Sequence, residues 1–242
     1  MTKLIAMIRH GEYHQQADTP SAWQPFPLTN EGEQEVQRQA LEFAKLLQKH
    51  RWQLHHQVHS SPLLRAWQTA QIYIKTLNTF FAQPPEHLEF PELSERSVGN
   101  VANLTISQIE QLLKQDPRYD APPIGWKSKS EYKLPFMGAE SLLEAGERVA
   151  RHLTEIVNKN GDAQCEQTQP QDSANDNCVR LVIGHGAAIR HAACHLKLMT
   201  LNDVSQFSMY HAHPIVLSYK GAKWQHIAGQ WKPRKSGEQA KD

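Results

Sequence analysis

The sequence predicts an α/β fold, a three-layer sandwich with a largely parallel central sheet flanked by helices. Two observations carry that expectation. Short apolar runs of strand length alternate along the chain with longer stretches whose apolar residues recur at helical spacing. The 242 residues suffice for one substantial core, and no Pro/Gly/Ser-rich linker divides the middle of the chain. We therefore expect a single domain over residues 1–231, with an insertion around 97–137 and a disordered tail at 232–242.

The first strand is the apolar run KLIAMI at 3–8. After a loop holding Pro and Trp, residues 28–50 place Val36, Ala40, Phe43, Ala44 and Leu47 at helical spacing, and Thr29 or Asn30 can cap the start. HQVHSS reads as a second short strand. In SSPLLRAWQTAQIYIKTL, Ser61 is placed to cap a helix with Pro62 at its first position. Residues 84–137 are irregular, with proline pairs and one helix in TISQIEQLLKQ, and form an excursion over the sheet. ESLLEAGERVARHLTEIV is an amphipathic helix, and Ser141 with Glu144 fits a capping box. Residues 160–177 are polar and turn-rich and read as a loop. CVRLVIGHGAAIRHAACHL then shows strand, Gly-His-Gly turn and helix, and PIVLSYKG with KWQHIAGQW forms a closing strand pair. There is no internal repeat.

Composition excludes several function classes. With 26 Lys+Arg against 25 Asp+Glu, the chain lacks the basic excess of a general nucleic-acid or membrane-surface binder. No apolar run approaches the roughly 20 residues that cross a bilayer, and the N-terminus lacks the apolar core and cleavage site of a signal peptide. Cys165, Cys178 and Cys194 are scattered and form no CxxC. Disulfides and cysteine zinc sites are not expected, and a cytoplasmic location is.

Chemistry concentrates at two strand ends. Ligands of parallel sheets bind beyond the carboxyl ends of the strands, and here two strands end in His-Gly: His10-Gly11 and His185-Gly186. The glycines permit a sharp turn and close approach to a ligand. Arg65 falls in a first helical turn, where the dipole prefers an anion. A cation there is explained by an anion shared with the helix start. Arg9, His10, Arg65 and His185 can thus converge on one doubly charged tetrahedral group, a phosphoryl group. A neutral imidazole can attack phosphorus and form a phosphohistidine, and guanidinium forks match phosphoryl oxygens. Glu92 and Glu95 are both candidates for the acid that protonates the leaving oxygen.

The ordered segments IRHGE, PLTNEG, SSPLLRAWQTA, LSER, GAES and VIGHGAAIR, spanning residues 8–190, resemble the histidine phosphatase superfamily, which includes the cofactor-dependent phosphoglycerate mutases. The resemblance implies a phosphoglycerate mutase-like fold, His10 as nucleophile, Arg9 and Arg65 as phosphoryl holders, and His185 as a second histidine donating to the phosphoryl oxygens. It favours Glu95 over Glu92 as the acid. It implies no cofactor and no metal.

The departures from the mutases favour a phosphatase. Tyr13, His14, Gln15 and Gln16 stand where those enzymes carry a small hydroxyl residue and a phosphate-loop Asn. The tandem Arg pair that grips a substrate carboxylate in the mutases is absent. Lys127, Lys129 and Lys133 occupy the insertion instead, and read as a solvated face. Arg96 and Arg190 read as structural ion-pair partners, and Trp23 and Trp126 as packing or pocket wall. His191 and His195, flanking Cys194, and His211 and His213, sharing a strand face, lack a third ligand at zinc-like spacing and read as incidental. The expected activity is hydrolysis of a small-molecule phosphate ester, with no nucleic-acid or membrane partner. The rival readings are mutase-type phosphoryl transfer, a protein phosphohistidine or phosphotyrosine phosphatase, and a non-catalytic phosphate-binding protein.

Overall fold

The computed structural model describes residues 2–158 and 177–234. In chain order the first elements are β1 (Lys3–Arg9), α1 (Asn30–His50), β2 (Gln53–Leu54), β3 (Gln57–Ser60), α2 (Leu64–Thr76), β4 (Glu86–Glu89), α3 (Ile106–Gln115) and α4 (Leu142–Asn158). They are followed by β5 (Cys178–Gly184), α5 (Gly186–His195), α6 (Leu201–Gln206), β6 (Phe207–Ser208), β7 (Pro214–Lys220), β8 (Lys223–Ala228) and β9 (Lys232–Pro233). The main sheet runs β4-β3-β5-β1-β7-β8, with β2 also paired to β5. The pairs among β1 to β5 are parallel, and β7 and β8 add an antiparallel edge.

The two faces of β1 explain the layering. Alternate side chains of a strand point to opposite faces. Leu4, Ala6 and Ile8 pack with Val36, Ala40 and Phe43 of α1 and Ala66, Ala70 and Tyr73 of α2. Ile5 and Met7 pack with Val149 and Leu153 of α4 and Ala188 and Ile189 of α5. The helices therefore lie on both sides of the sheet, giving the expected three-layer sandwich. The insertion has a small apolar cluster of its own around Ile109, Leu113, Trp126 and Leu134, tied to the rest through Ala22.

The caps on α1 and α4 follow the sequence. Thr29 Oγ1 accepts from Gly32 N, and Ser141 and Glu144 exchange side chain–backbone hydrogen bonds of 2.8 and 3.1 Å. The start of α2 does not. Ser61 Oγ accepts from Leu63 N at 3.2 Å, but the helix begins at Leu64 with Leu63 in the extended cap position, and Pro62 stays outside. The Ser61 N–H instead continues the sheet by donating to Ile183 O, so the turn into α2 comes later than the Ser-Pro signal places it.

Three further expectations need correction. β4 and α6 fall in stretches read as irregular or left unassigned. Lys232 and Pro233 are not part of a disordered tail, since they pair antiparallel with Ser208 and Phe207. Residues from 235 onward, and all of the 160–177 loop except Asn177, lie outside the described residues. Cys178 is held in a disulfide, contrary to expectation, while Cys194 is free. No helix among the described residues is long and apolar enough to cross a membrane.

Candidate active site

The site starts from the register of two neighbouring strands. β1 and β5 pair parallel with Arg9 opposite Gly184. The ladder runs one residue further, because His10 N donates to Gly184 O at 3.0 Å and Ser61 N to Ile183 O at 2.9 Å. His10, His185 and Ser61 therefore stand abreast at the carboxyl edge of β1, β5 and β3. The His10 and His185 rings lie 5.0 Å apart, centroid to centroid. Both residues are buried.

Arg65 is the hub between them. It is fully buried near the start of α2. Its Nε donates to His10 Nε2 at 3.2 Å, and its Nη2 lies 3.2 Å from His185 Nδ1. Its remaining N–H groups reach Gln24 O at 2.7 Å and Ala22 O at 2.8 Å. The Tyr13 ring lies 4.5 Å beneath the guanidinium, and its hydroxyl is hydrogen-bonded to Ser21 Oγ. The loop at 21–24 thus fixes the guanidinium in place from behind.

These contacts set the protonation of both imidazoles. An arginine can only donate, so His10 Nε2 carries the lone pair and Nδ1–H donates to Gly11 O at 2.7 Å. In the same way His185 Nδ1 accepts from Arg65, and its Nε2–H donates to Ser61 Oγ at 2.9 Å. Burial, and then the charges of Arg65 and Arg9, hold both rings well below the ordinary histidine range, with His185 and His211 adding to the effect at His10. His10 is thereby a neutral imidazole with one exposed-electron nitrogen, the form a nucleophile requires. His185 donates to Ser61 and not into the centre, so donation to a phosphoryl oxygen would require its ring to turn.

Two glycines make the close approach possible. A Cβ at Gly11 would meet Val36 Cγ2 at 2.5 Å, and one at Gly186 would meet Arg9 Cδ at 2.9 Å. Arg9 crosses the start of α5 through the space left by Gly186, and its Nη1 donates to Met209 O at 3.0 Å.

The two acidic candidates separate. Glu95 is buried, and its Oε1 accepts from Arg96 N at 2.8 Å. Trp23 Nε1 donates to Glu95 O at 2.9 Å, and Glu95 contributes to the electrostatics of Arg65 and Tyr13. Glu92 is exposed, with only its carbonyl engaged, by Arg148. Glu95 also lines a pocket of about 300 Å³ that includes Arg96, Lys127, Arg190 and His191. Of these, Arg190 donates through Nη1 to Phe207 O at 2.5 Å, and the Arg96 guanidinium lies 5.9 Å from the Trp126 ring centre. Lys129 and Lys133 are exposed, the latter paired with Glu144.

Two of the remaining histidines are engaged within the fold. His191 is bonded to Ala187 O and Ser130 Oγ, and His195 to Leu143 O. No group of three or more His, Cys, Asp or Glu able to hold a metal occurs among the described residues. His211 and His213 precede β7 and do not share a strand face. Between them Ala212 adopts a left-handed φ of 62°. His211 Nδ1 donates to His10 O at 3.0 Å, with the two rings 5.7 Å apart. Sequence reasoning missed this residue, although its signal was present: β7 runs antiparallel to β1, so the segment before it must reach the edge where β1 ends. Trp126 is buried in the insertion core and Trp23 is half exposed.

Among known proteins, the chain matches the family profile of the histidine phosphatase superfamily (branch 1) over residues 5–230. No curated protein sequence matches it significantly. Of the similar solved structures, one named mycobacterial hydrolase 1 has a TM-score of 0.66 at 19% identity, over 94% of this chain and 98% of that one. A mycobacterial glucosyl-3-phosphoglycerate phosphatase has a TM-score of 0.64 at 18% identity, over 93% and 97%. YhfR from Bacillus stearothermophilus has a TM-score of 0.63 at 19% identity, over 93% and 95%. At such identities the likeness concerns the fold.

Proposed function

The chain belongs to the histidine phosphatase superfamily, and from that premise we propose that it hydrolyses a small-molecule phosphomonoester through a phosphohistidine intermediate, with its own side chains and neither metal nor organic cofactor. The observation that carries this reading is the protonation pattern around Arg65. His10 has its Nε2 lone pair directed at a buried guanidinium and its Nδ1–H donated to Gly11 O.

An incoming phosphoryl group replaces the two imidazoles as acceptor for Arg65, with Arg9 beside it. His10 Nε2 attacks phosphorus in line, so the N–P bond forms as the P–O bond breaks, and Glu95 gives its proton to the leaving oxygen. Glu95 then takes a proton from water as that water attacks phosphorus. The N–P bond breaks, and phosphate and neutral His10 are released. The guanidinium groups are fixed in a buried site before reaction, so they stabilise the charge on the equatorial oxygens without reorganising.

The reading keeps the cytoplasm as its compartment. It includes no nucleic-acid or membrane partner. Hydrolysis of a panel of phosphate esters by wild-type and His10→Ala protein tests it. Free phosphate that disappears in the variant supports a phosphatase. Isomerised 3-phosphoglycerate with little free phosphate points to the mutase, and equal activity in both proteins overturns the mechanism.

A further inference from the structure

Glu95 can act only if its carboxyl group stands within hydrogen-bond reach of the leaving oxygen, yet it sits on a segment with little regular structure of its own. After β4 the chain makes one helical turn at 91–93, closed by Ser94 N donating to Pro91 O at 3.0 Å. It then passes the end of β5, where a Cβ on Gly184 would lie 3.2 Å from Leu93 O. Ser94, Glu95, Arg96 and Ser97 are buried there, so their backbone groups need partners. Several of those partners come from α4 and from the residue two positions before it. Arg148 Nη1 donates to Glu92 O at 2.7 Å and to Ser94 O at 3.2 Å. With its other N–H groups Arg148 meets Glu140 at two points, Nε to Oε1 at 2.9 Å and Nη2 to Oε2 at 2.8 Å. Glu140 Oε2 in turn accepts from Ser97 N at 3.1 Å, and Glu140 N donates to Ser97 O at 2.8 Å.

Arg148 and Glu140 thus grip the backbone on both sides of Glu95. A third hold comes from Trp23 Nε1 on Glu95 O, in the loop whose Ala22 and Gln24 carbonyls hold Arg65. The acid and the phosphoryl hub are thereby fixed to one frame. The ion pair is half-buried and forked, the arrangement in which an Arg–carboxylate contact carries defined geometry. A lysine ammonium could not serve the carboxylate and two carbonyls in one plane. Resting on the phosphatase reading, we infer that Arg148 and Glu140 are positioning residues for the acid. They set where the Glu95 carboxyl group meets the leaving oxygen, and they act on the rate through Glu95 alone.

The test compares glycerol 3-phosphate, whose alkoxide needs a proton to leave, with p-nitrophenyl phosphate, whose nitrophenolate does not. Arg148→Met keeps the packing of the stem and removes every donor. It lowers kcat/KM for the alkyl ester by roughly a hundredfold, as a displacement of about 1 Å does, and lowers that for the aryl ester much less. Added to Glu95→Gln, the same change slows the alkyl ester no further, because the group it positions is gone. Glu140→Gln offers one acceptor oxygen where Arg148 Nε, Arg148 Nη2 and Ser97 N converge. It gives the same pattern, and it decides the question if Arg148→Met does not fold. Equal slowing of both esters in these variants, or slowing that adds to that of Glu95→Gln, marks a merely structural role and overturns the inference while the phosphatase reading stands. Equal slowing of both esters by Glu95→Gln itself takes the acid role from Glu95 and overturns the inference, with hydrolysis intact. Hydrolysis of neither ester by wild-type protein overturns the phosphatase reading and the inference together.

Discussion

Arg65→Lys keeps the charge of the hub and removes its shape. In the native site the guanidinium serves Gln24 O, Ala22 O and His10 Nε2 at 2.7, 2.8 and 3.2 Å, and lies 3.2 Å from His185 Nδ1. A lysine ammonium is a compact donor that cannot span acceptors on opposite sides of the site. At least one buried carbonyl then loses its partner, which costs about 1–3 kcal/mol of stability. The loss in the transition state is larger, because a fixed donor aimed at developing charge is worth roughly 10²–10³ in kcat. Urea unfolding reads the first figure, and steady-state hydrolysis of p-nitrophenyl phosphate reads the second. Arg38→Lys, on an exposed i,i+3 pair with Glu35, serves as control and changes neither. A kcat within about fivefold of wild type in Arg65→Lys would refute the view that guanidinium geometry holds the site together.

Further expectations follow from the same contacts. His10 and His185 are held below their ordinary range, so the unfolded chain binds more protons than the folded one once pH falls below about 6.5. Stability therefore declines as pH drops from that value toward the lowered folded values, by up to about 1.4 kcal/mol per pH unit for each ring; urea titrations between pH 7 and 5 measure the slope, and a flat profile contradicts the burial of neutral imidazoles. Glu95→Gln slows alkyl phosphate hydrolysis by roughly 10²–10⁴ while slowing p-nitrophenyl phosphate much less, since nitrophenolate leaves without a proton. Glu92→Gln, on an exposed side chain, leaves both rates near wild type, and the reverse pattern would move the acid to Glu92. Gly11→Ala drives a methyl to within 2.5 Å of Val36 Cγ2. It lowers stability by about 1–3 kcal/mol, measured by thermal unfolding, and an unchanged Tm would show that α1 can retreat freely.

How far the sequence could be read depended on the range of the interactions involved. The core of β1 and the caps of α1 and α4 are local, and the residues that make them sit within a few positions of one another. The pairing of His10 with His185 is distant in the chain, yet it was legible because two apolar strands ended in the same His-Gly turn. The tight packing of Arg65 against the 21–24 loop left no local trace, since backbone carbonyls of Ala22 and Gln24 do that work. β4 was hidden because EHLE is half exposed at the sheet edge and shows no apolar alternation. His211 carries no local signal of its place, which follows only once β7 is seen to run antiparallel to β1 and to bring the segment before it to His10.

The most direct test of the central claim is rapid quenching of turnover with a phosphate ester labelled in its phosphoryl group. The account predicts transient label that is stable to alkali and lost in acid, on the peptide that contains His10, and none in His10→Ala protein. Hydrolysis that proceeds with no labelled protein at any time, or label that persists in the His10→Ala variant, would contradict it.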